Sequence, residues 1–111
     1  MPQQLSVAST EYVRAYVRST VGGVNADPTL DTVQMGFVPS TGNSPGDAPA
    51  TFYDAVWEPN GPDAQGRYIA ACLIGPDGGT ATLAAKRWQV WIKISDDPET
   101  PVLPVGILIT Y

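Results

Sequence analysis

The chain has 111 residues, a length typical of one domain with a modest core. Its formal net charge is −5 at pH 7, and only 15% of its residues are charged, against roughly 25% in an average globular protein. An acidic chain lacks the clustered Lys and Arg that neutralise phosphates, so we expect no specific binding of nucleic acid. A chain with few charged residues has less surface that is favourably exposed to water. We therefore expect partner proteins to cover part of the exterior.

The residue inventory argues against catalysis. The chain has no histidine, which removes the commonest general base and the commonest metal ligand. Cys72 is the single cysteine and has apolar neighbours, so it predicts a buried thiol and no internal disulfide. We therefore expect no catalytic residue, no cofactor and no metal. A calcium site at Asp96, Asp97 and Glu99 is the alternative to a solvated acidic corner there, although EF-hand spacing is absent.

The beginning of the chain shows no targeting signal. MPQQLSVAST lacks a basic region followed by an apolar run, and no stretch approaches the roughly 18 apolar residues of a membrane span. The sequence thus predicts folding in a cytoplasm without a membrane. We expect residues 1–9 to form an N-terminal arm that is flexible or orders on a partner, and residues 10–111 to form the folded domain.

Period-two alternation in the first half predicts strands at residues 10–20 and 31–39. Between them, the glycine-rich residues 22–28 predict a turn. Residues 39–49, PSTGNSPGDAP, contain three prolines and almost no apolar side chain, so they predict an exposed, mobile loop.

The second half predicts further strands at 52–58, 68–75, 87–95 and 102–111. Residues 68–75 (YIAACLIG) are almost continuously apolar, which is typical of a central strand covered on both faces. Residues 80–83 favour a short strand, and residues 81–87 are the one place where a helical turn could form. Pro104 predicts that the last strand begins at a sheet edge.

Together these elements predict an all-β fold with six or seven short strands separated by turns. This number and spacing of strands favour a single-domain antiparallel β-sandwich of the Ig-like type or a small β-barrel. The pattern leaves the choice between sandwich and barrel open.

Aromatic side chains supply the candidate interaction residues. Trp88 and Trp91 lie on opposite faces of one strand, so if Trp88 is in the core, Trp91 is exposed unless a loop or the stem of Lys93 covers it. An exposed tryptophan is a common interface anchor. On residues 10–20, tyrosines and arginines alternate with apolar residues and share one face. The candidate interface residues are Trp91, Tyr12, Tyr16, Arg14 and Arg18; a carbohydrate-stacking platform is the competing interpretation.

Several segments in combination resemble a known class of protein. These are TEYVRAYVRS, NADPTLDTVQMGF, YDAVWE, YIAACLIGP and WQVWIKISDDPETPVLPVGILI, which span roughly residues 10–110. Together they resemble small virion proteins of tailed bacteriophages that infect actinobacteria, encoded among the head and head-to-tail genes.

The resemblance implies a virion subunit without catalysis, made in the host cytoplasm. It implies a homo-oligomeric ring or lattice that packs against capsid, portal or tail subunits, as a head-to-tail connector or stopper or as a capsid decoration protein. We also expect residues 41–48 to become ordered on assembly. The negative charge and the polar 39–49 loop weaken the stopper interpretation. The alternative is a glycan-binding or host-recognition Ig-like module of a tail or fibre.

Overall fold

The described part of the chain folds into short strands. The computed structural model describes residues 3–17, 19–21, 24–26, 31–40, 47–59, 64, 66–95, 100 and 102–111, and contains no helix among them. The strands are β1 Gln3–Leu5, β2 Glu11–Val17, β3 Ser19–Val21, β4 Val24–Ala26, β5 Thr32–Pro39, β6 Tyr53–Asp54, β7 Val56–Trp57, β8 Tyr68–Ile74, β9 Arg87–Ser95 and β10 Val102–Thr110.

Two sheets face each other. Sheet A has five strands in the order β1-β10-β9-β5-β6, and sheet B has three in the order β2-β8-β7, while β3 and β4 pair as a separate two-stranded sheet. The pairings are antiparallel except β1 with β10, which is parallel. The prediction of an all-β fold, a small β-sandwich or β-barrel, is therefore confirmed.

The core lies between the sheets and follows the alternation of the sequence. In the ladder between β5 and β9, Val33 lies opposite Ile94, and Met35 lies opposite Ile92. These four side chains are buried, Met35 and Ile92 completely. Sheet B contributes the inward side chains of β2 and β8, which are Val13, Ala15, Val17, Ala70, Cys72 and Ile74. Removing this apolar surface from water is the main stabilising contribution.

One side of the sandwich is closed by a chain segment that changes sheet. β6 pairs with β5 in sheet A, and β7, one residue further on, pairs with β8 in sheet B. At the crossing, the Ala55 amide donates to the Val33 carbonyl at 3.1 Å. The Trp57 indole Nε1 donates to the Asp31 carbonyl at 3.0 Å, so the ring is half-buried with its polar atom satisfied.

The opposite side is closed in part by β1. Gln3–Leu5 pair with the end of β10, and Leu5 is buried in the core. The Gln3 carboxamide also reaches the edge of sheet B, where Nε2 donates to the Tyr12 carbonyl at 2.9 Å and Oε1 accepts from the Arg14 amide at 3.1 Å. Residues 1–9 were expected to be an arm, whereas this part of them is a strand of the domain because Leu5 fills a core position.

The predicted bounds of the long strands agree with the structure, whereas the short strands were merged or missed in the prediction. Residues 87–95 form β9 as predicted, but residues 10–20 are divided between β2 and β3, and β4 lies in the predicted 22–28 turn. Within the expected 80–83 strand, Ala81 makes only an isolated bridge to Ile74, and residues 81–87 contain no helical turn. Residues 41–46 of the predicted loop lie outside the described residues.

A β-bulge interrupts β10. The register with β9 shifts between Pro104 and Gly106. Gly106 has φ +156°, a conformation that side chains disfavour, and its carbonyl accepts a hydrogen bond from Gln89 Nε2 at 2.8 Å. The buried Gln89 side chain thereby satisfies a carbonyl at the bulge.

Gln3 generates a first prediction. The substitution Gln3→Ala removes two hydrogen bonds that join β1 to the edge of β2, so the free energy of unfolding should fall by about 1–2 kcal/mol in urea denaturation. The matched control is Gln4→Ala at the next, exposed position, which should change stability by less than about 0.5 kcal/mol. Equal losses in the two variants would show that the carboxamide contacts do not stabilise the fold.

Candidate protein interface on the outer face of sheet B

The outer face of sheet B gathers three of the predicted interface residues. Alternation along β2 turns Val13, Ala15 and Val17 into the core, so the intervening residues face outward. Tyr12 is 43% exposed and Tyr16 is 50% exposed, with the exposed Arg14 between them. The sequence therefore places Tyr12, Arg14 and Tyr16 correctly on one accessible face, while Arg18 lies outside the described residues.

The neighbouring strands make this face largely apolar. Tyr12 lies opposite Leu73 and Tyr16 opposite Ile69 in the ladder with β8, and both partners are half-buried. Val56, on the far strand β7, is in the same cross-strand row as Arg14 and is 57% exposed. Tyrosine and aliphatic side chains on one uncovered sheet face have the composition of an interface core.

An ion pair crosses the face. Arg14 Nε lies 2.5 Å from Glu58 Oε1, which spans the strand β8 between them. Ala71, the ladder partner of Arg14, is buried although it faces outward. Because both charged side chains are partly exposed, the pair contributes less than about 1 kcal/mol to stability. Its more important effect is to fix the position of the guanidinium group on the face.

Cations also lie over the tyrosine rings. The Arg67 guanidinium carbon is 4.6 Å from the Tyr16 ring centroid, and that of Arg14 is 6.0 Å from the Tyr12 ring. Such contacts are worth about 0.5–1 kcal/mol at exposed sites. They hold the two rings in defined orientations, which lowers the entropy that a binding partner must supply.

Trp91 is not an exposed anchor. It lies on the opposite side of the molecule, on the outer face of sheet A, and is only 8% exposed. The ladder places Gly36 beside it, and a Cβ at Gly36 would lie 3.1 Å from the Phe52 ring. Lys93, on the same face of β9, places Nζ 5.4 Å from the centroid of that ring. The interpretation of Trp91 as an exposed anchor is therefore wrong, and its indole is covered within the chain.

The burial of Trp91 has one unusual feature. Its Nε1 atom is buried and has no hydrogen-bond partner among the described residues. Trp88, on the core side of the same strand, instead donates through Nε1 to the Ala84 carbonyl at 3.1 Å and contacts Thr110 Oγ1 at 3.2 Å. The two tryptophans thus lie on opposite faces of the sheet, and of the two only Trp88 has a hydrogen-bonded indole N–H in the described residues.

In the described part of the chain, no group of three or more His, Cys, Asp or Glu side chains could hold a metal ion. Burial raises the pKa of the Cys72 thiol from 9.0 to about 11, and the Asp54 charge adds to this effect, while a hydrogen bond with Thr80 opposes it. Cys72 is therefore a protonated core side chain at neutral pH. No helix in the described residues is long and apolar enough to cross a membrane.

Sequence analysis did not identify the aliphatic part of the face. Val56 lies in a two-residue strand that the alternation merged with its neighbours, and Ile69 and Leu73 are in a run that was expected to be covered on both sides. The available signal was that Val56 precedes Trp57, so that an inward tryptophan turns the valine outward.

Comparisons with known proteins give no relative. No protein family matches the chain, and neither do curated proteins or solved structures.

The buried thiol generates a second prediction. Because the pKa of Cys72 is higher in the folded chain, its contribution to stability is complete below pH 9 and is lost as the pH rises toward 11. The stability difference between the unmodified protein and Cys72→Ala should shrink by on the order of 2 kcal/mol across this window. Urea denaturation at several pH values measures it. Other groups titrate alike in both proteins, so their effects cancel in the stability difference. A stability difference that stays constant with pH would contradict the burial of the thiol.

Proposed function

We propose that this chain is a non-enzymatic structural protein of a tailed bacteriophage virion, which packs against capsid or portal and connector subunits. The observation that carries the proposal is the outer face of sheet B, where Tyr12, Tyr16 and Val56 are exposed together. A face of this composition on a chain with only 15% charged residues suits burial against another protein. The virion setting is supported by the sequence resemblance.

The chemistry of the described residues is compatible with this proposal. The acidic side chains of the described residues form no metal-binding cluster, the cysteine is protonated and buried, and the cations Arg14 and Arg67 lie over tyrosine rings. What the chain offers to a partner is a shaped surface. In a virion such a surface acts by repetition, because a weak contact gains avidity when a ring or lattice presents many copies.

The alternative is a glycan-binding or host-recognition module of a tail or fibre. The observation in its favour is that Tyr12 and Tyr16 lie on the same face of β2, with accessible rings. Aromatic faces stack on sugar rings, so a saturable change in tyrosine and tryptophan fluorescence on a glycan titration would favour this alternative.

The proposed packing surface generates a third prediction. In the double variant Tyr12→Ser and Tyr16→Ser, incorporation into particles should fall by about tenfold or more, because tyrosines at an interface core contribute 1 kcal/mol or more each. Quantitative mass spectrometry of purified particles measures the incorporated copies. Circular dichroism and denaturation should show an intact fold.

The matched control is Tyr111→Ser. Tyr111 is 65% exposed and follows β10, which belongs to sheet A and not to sheet B. Its replacement should leave incorporation unchanged. Normal incorporation of the double variant would exclude this face as the packing surface, and absence of the unmodified chain from particles would exclude the virion proposal itself.

A further inference from the structure

The two sheets separate at one side and leave an open cleft of about 530 Å³. One wall is the edge of β2, with Val13, Arg14 and Tyr16; the other is the bulged part of β10, residues 105–108. Val90 lines the cleft from β9, and Gln3 lines it where β1 begins. The cleft is distinct from the outer face of sheet B, although Arg14 and Tyr16 border both.

Both walls are strand edges. Within the described residues, β2 pairs with β8 alone, and β10 pairs with β1 only from Leu108 to Thr110. Residues 102–107 of β10 are therefore the edge of sheet A in the described chain. Pro104 has no amide hydrogen, so strand pairing along this edge is favoured only over residues 105–107.

The Gln3 side chain shows how this edge of β2 is satisfied. Its carboxamide accepts from the Arg14 amide and donates to the Tyr12 carbonyl, as the backbone of a neighbouring strand would. Alternate residues of a strand direct their amide and carbonyl groups to the same side. The Arg14 carbonyl and the Tyr16 amide therefore point into the cleft beyond Gln3, where they offer the next acceptor and donor.

The floor of the cleft has room for a side chain. Gly106 lies opposite Val90, whose side chain belongs to the core, and a Cβ built on Gly106 would meet no atom within 4 Å. The surrounding Val13, Val90 and Leu108 are apolar and buried. An aliphatic side chain inserted here would complete the core at its open side.

We propose that the cleft receives an extended polypeptide strand from a different protein, three or four residues long, with an aliphatic side chain opposite Gly106. This inference rests on the proposed function, since the donor is a neighbouring subunit of the assembly. Strand addition fits because main-chain groups give affinity and alternate side chains give specificity.

A second copy of the chain is a poorer donor. Each copy carries a net charge of −5, so two copies repel each other, and the long strands of the described chain are already paired in sheets A and B.

The test fuses a donor strand to the full chain. A Gly/Ser linker of 12 residues after Tyr111 spans about 19 Å, which matches the roughly 17 Å from Tyr111 back to Gly106 along β10. The linker carries Thr-Val-Thr-Val-Thr, and the control fusion carries Thr-Val-Pro-Val-Thr, in which proline removes the central amide hydrogen. Amide hydrogen exchange is followed at residues 14–17 and 105–107.

The alternating strand should slow exchange in these two segments by about tenfold or more relative to the proline control, with little change on the outer edges of β6 and β7. Equal exchange in the two fusions would overturn the inference. Concentration-dependent association of the unfused chain in sedimentation, abolished by the fused strand, would place a second copy in the cleft and overturn the assignment to a different protein. Neither outcome bears on the proposed function, because the incorporation experiment uses the unfused chain and tests that function independently.

Discussion

The burial of β9 on both faces is the constraint on which the rest of the structure depends. Its core face carries Val90, Ile92 and Ile94 between the sheets, and its other face carries Gln89 and Trp91, which are also buried. Complete burial of one such aliphatic side chain is worth about 1.5–3 kcal/mol. A strand covered on both sides needs a neighbour at each edge and a layer over each face. β5 and β10 pair with the two edges of β9. Sheet B covers one face of sheet A, and the segment that contains Phe52 covers part of the other face.

This constraint decides which surfaces remain for partners. Sheet A is covered on its outer face around Gly36 and Trp91, whereas sheet B, only three strands wide, leaves Tyr12, Tyr16 and Val56 accessible. The small sheet also leaves one side of the sandwich open, where the cleft lies between β2 and β10. The accessible face and the cleft therefore have the same origin, because five strands are packed against three.

The sequence predicted what alternation alone determines. β9 and the division of β2 into inward valines and outward tyrosines followed from period two, and the structure confirms both. The burial of Trp91 could not be predicted, because Pro49 and Phe52 approach Gly36, its ladder partner, in space but not in sequence. β1 was missed for a similar reason: Gln3–Leu5 is too short to show a period, and its pairing with β10 joins the two ends of the chain. The cleft depends on a bulge, which a period-two pattern does not encode.

Cryo-electron microscopy of the intact particle encoded alongside this chain would show whether the outer face of sheet B is buried against another subunit, as we propose. We expect density for the domain in repeated copies on the capsid or at the portal vertex, with Tyr12 and Tyr16 in contact with a neighbouring subunit. Density in which sheet B faces solvent in every copy, or particles without the domain, would contradict it.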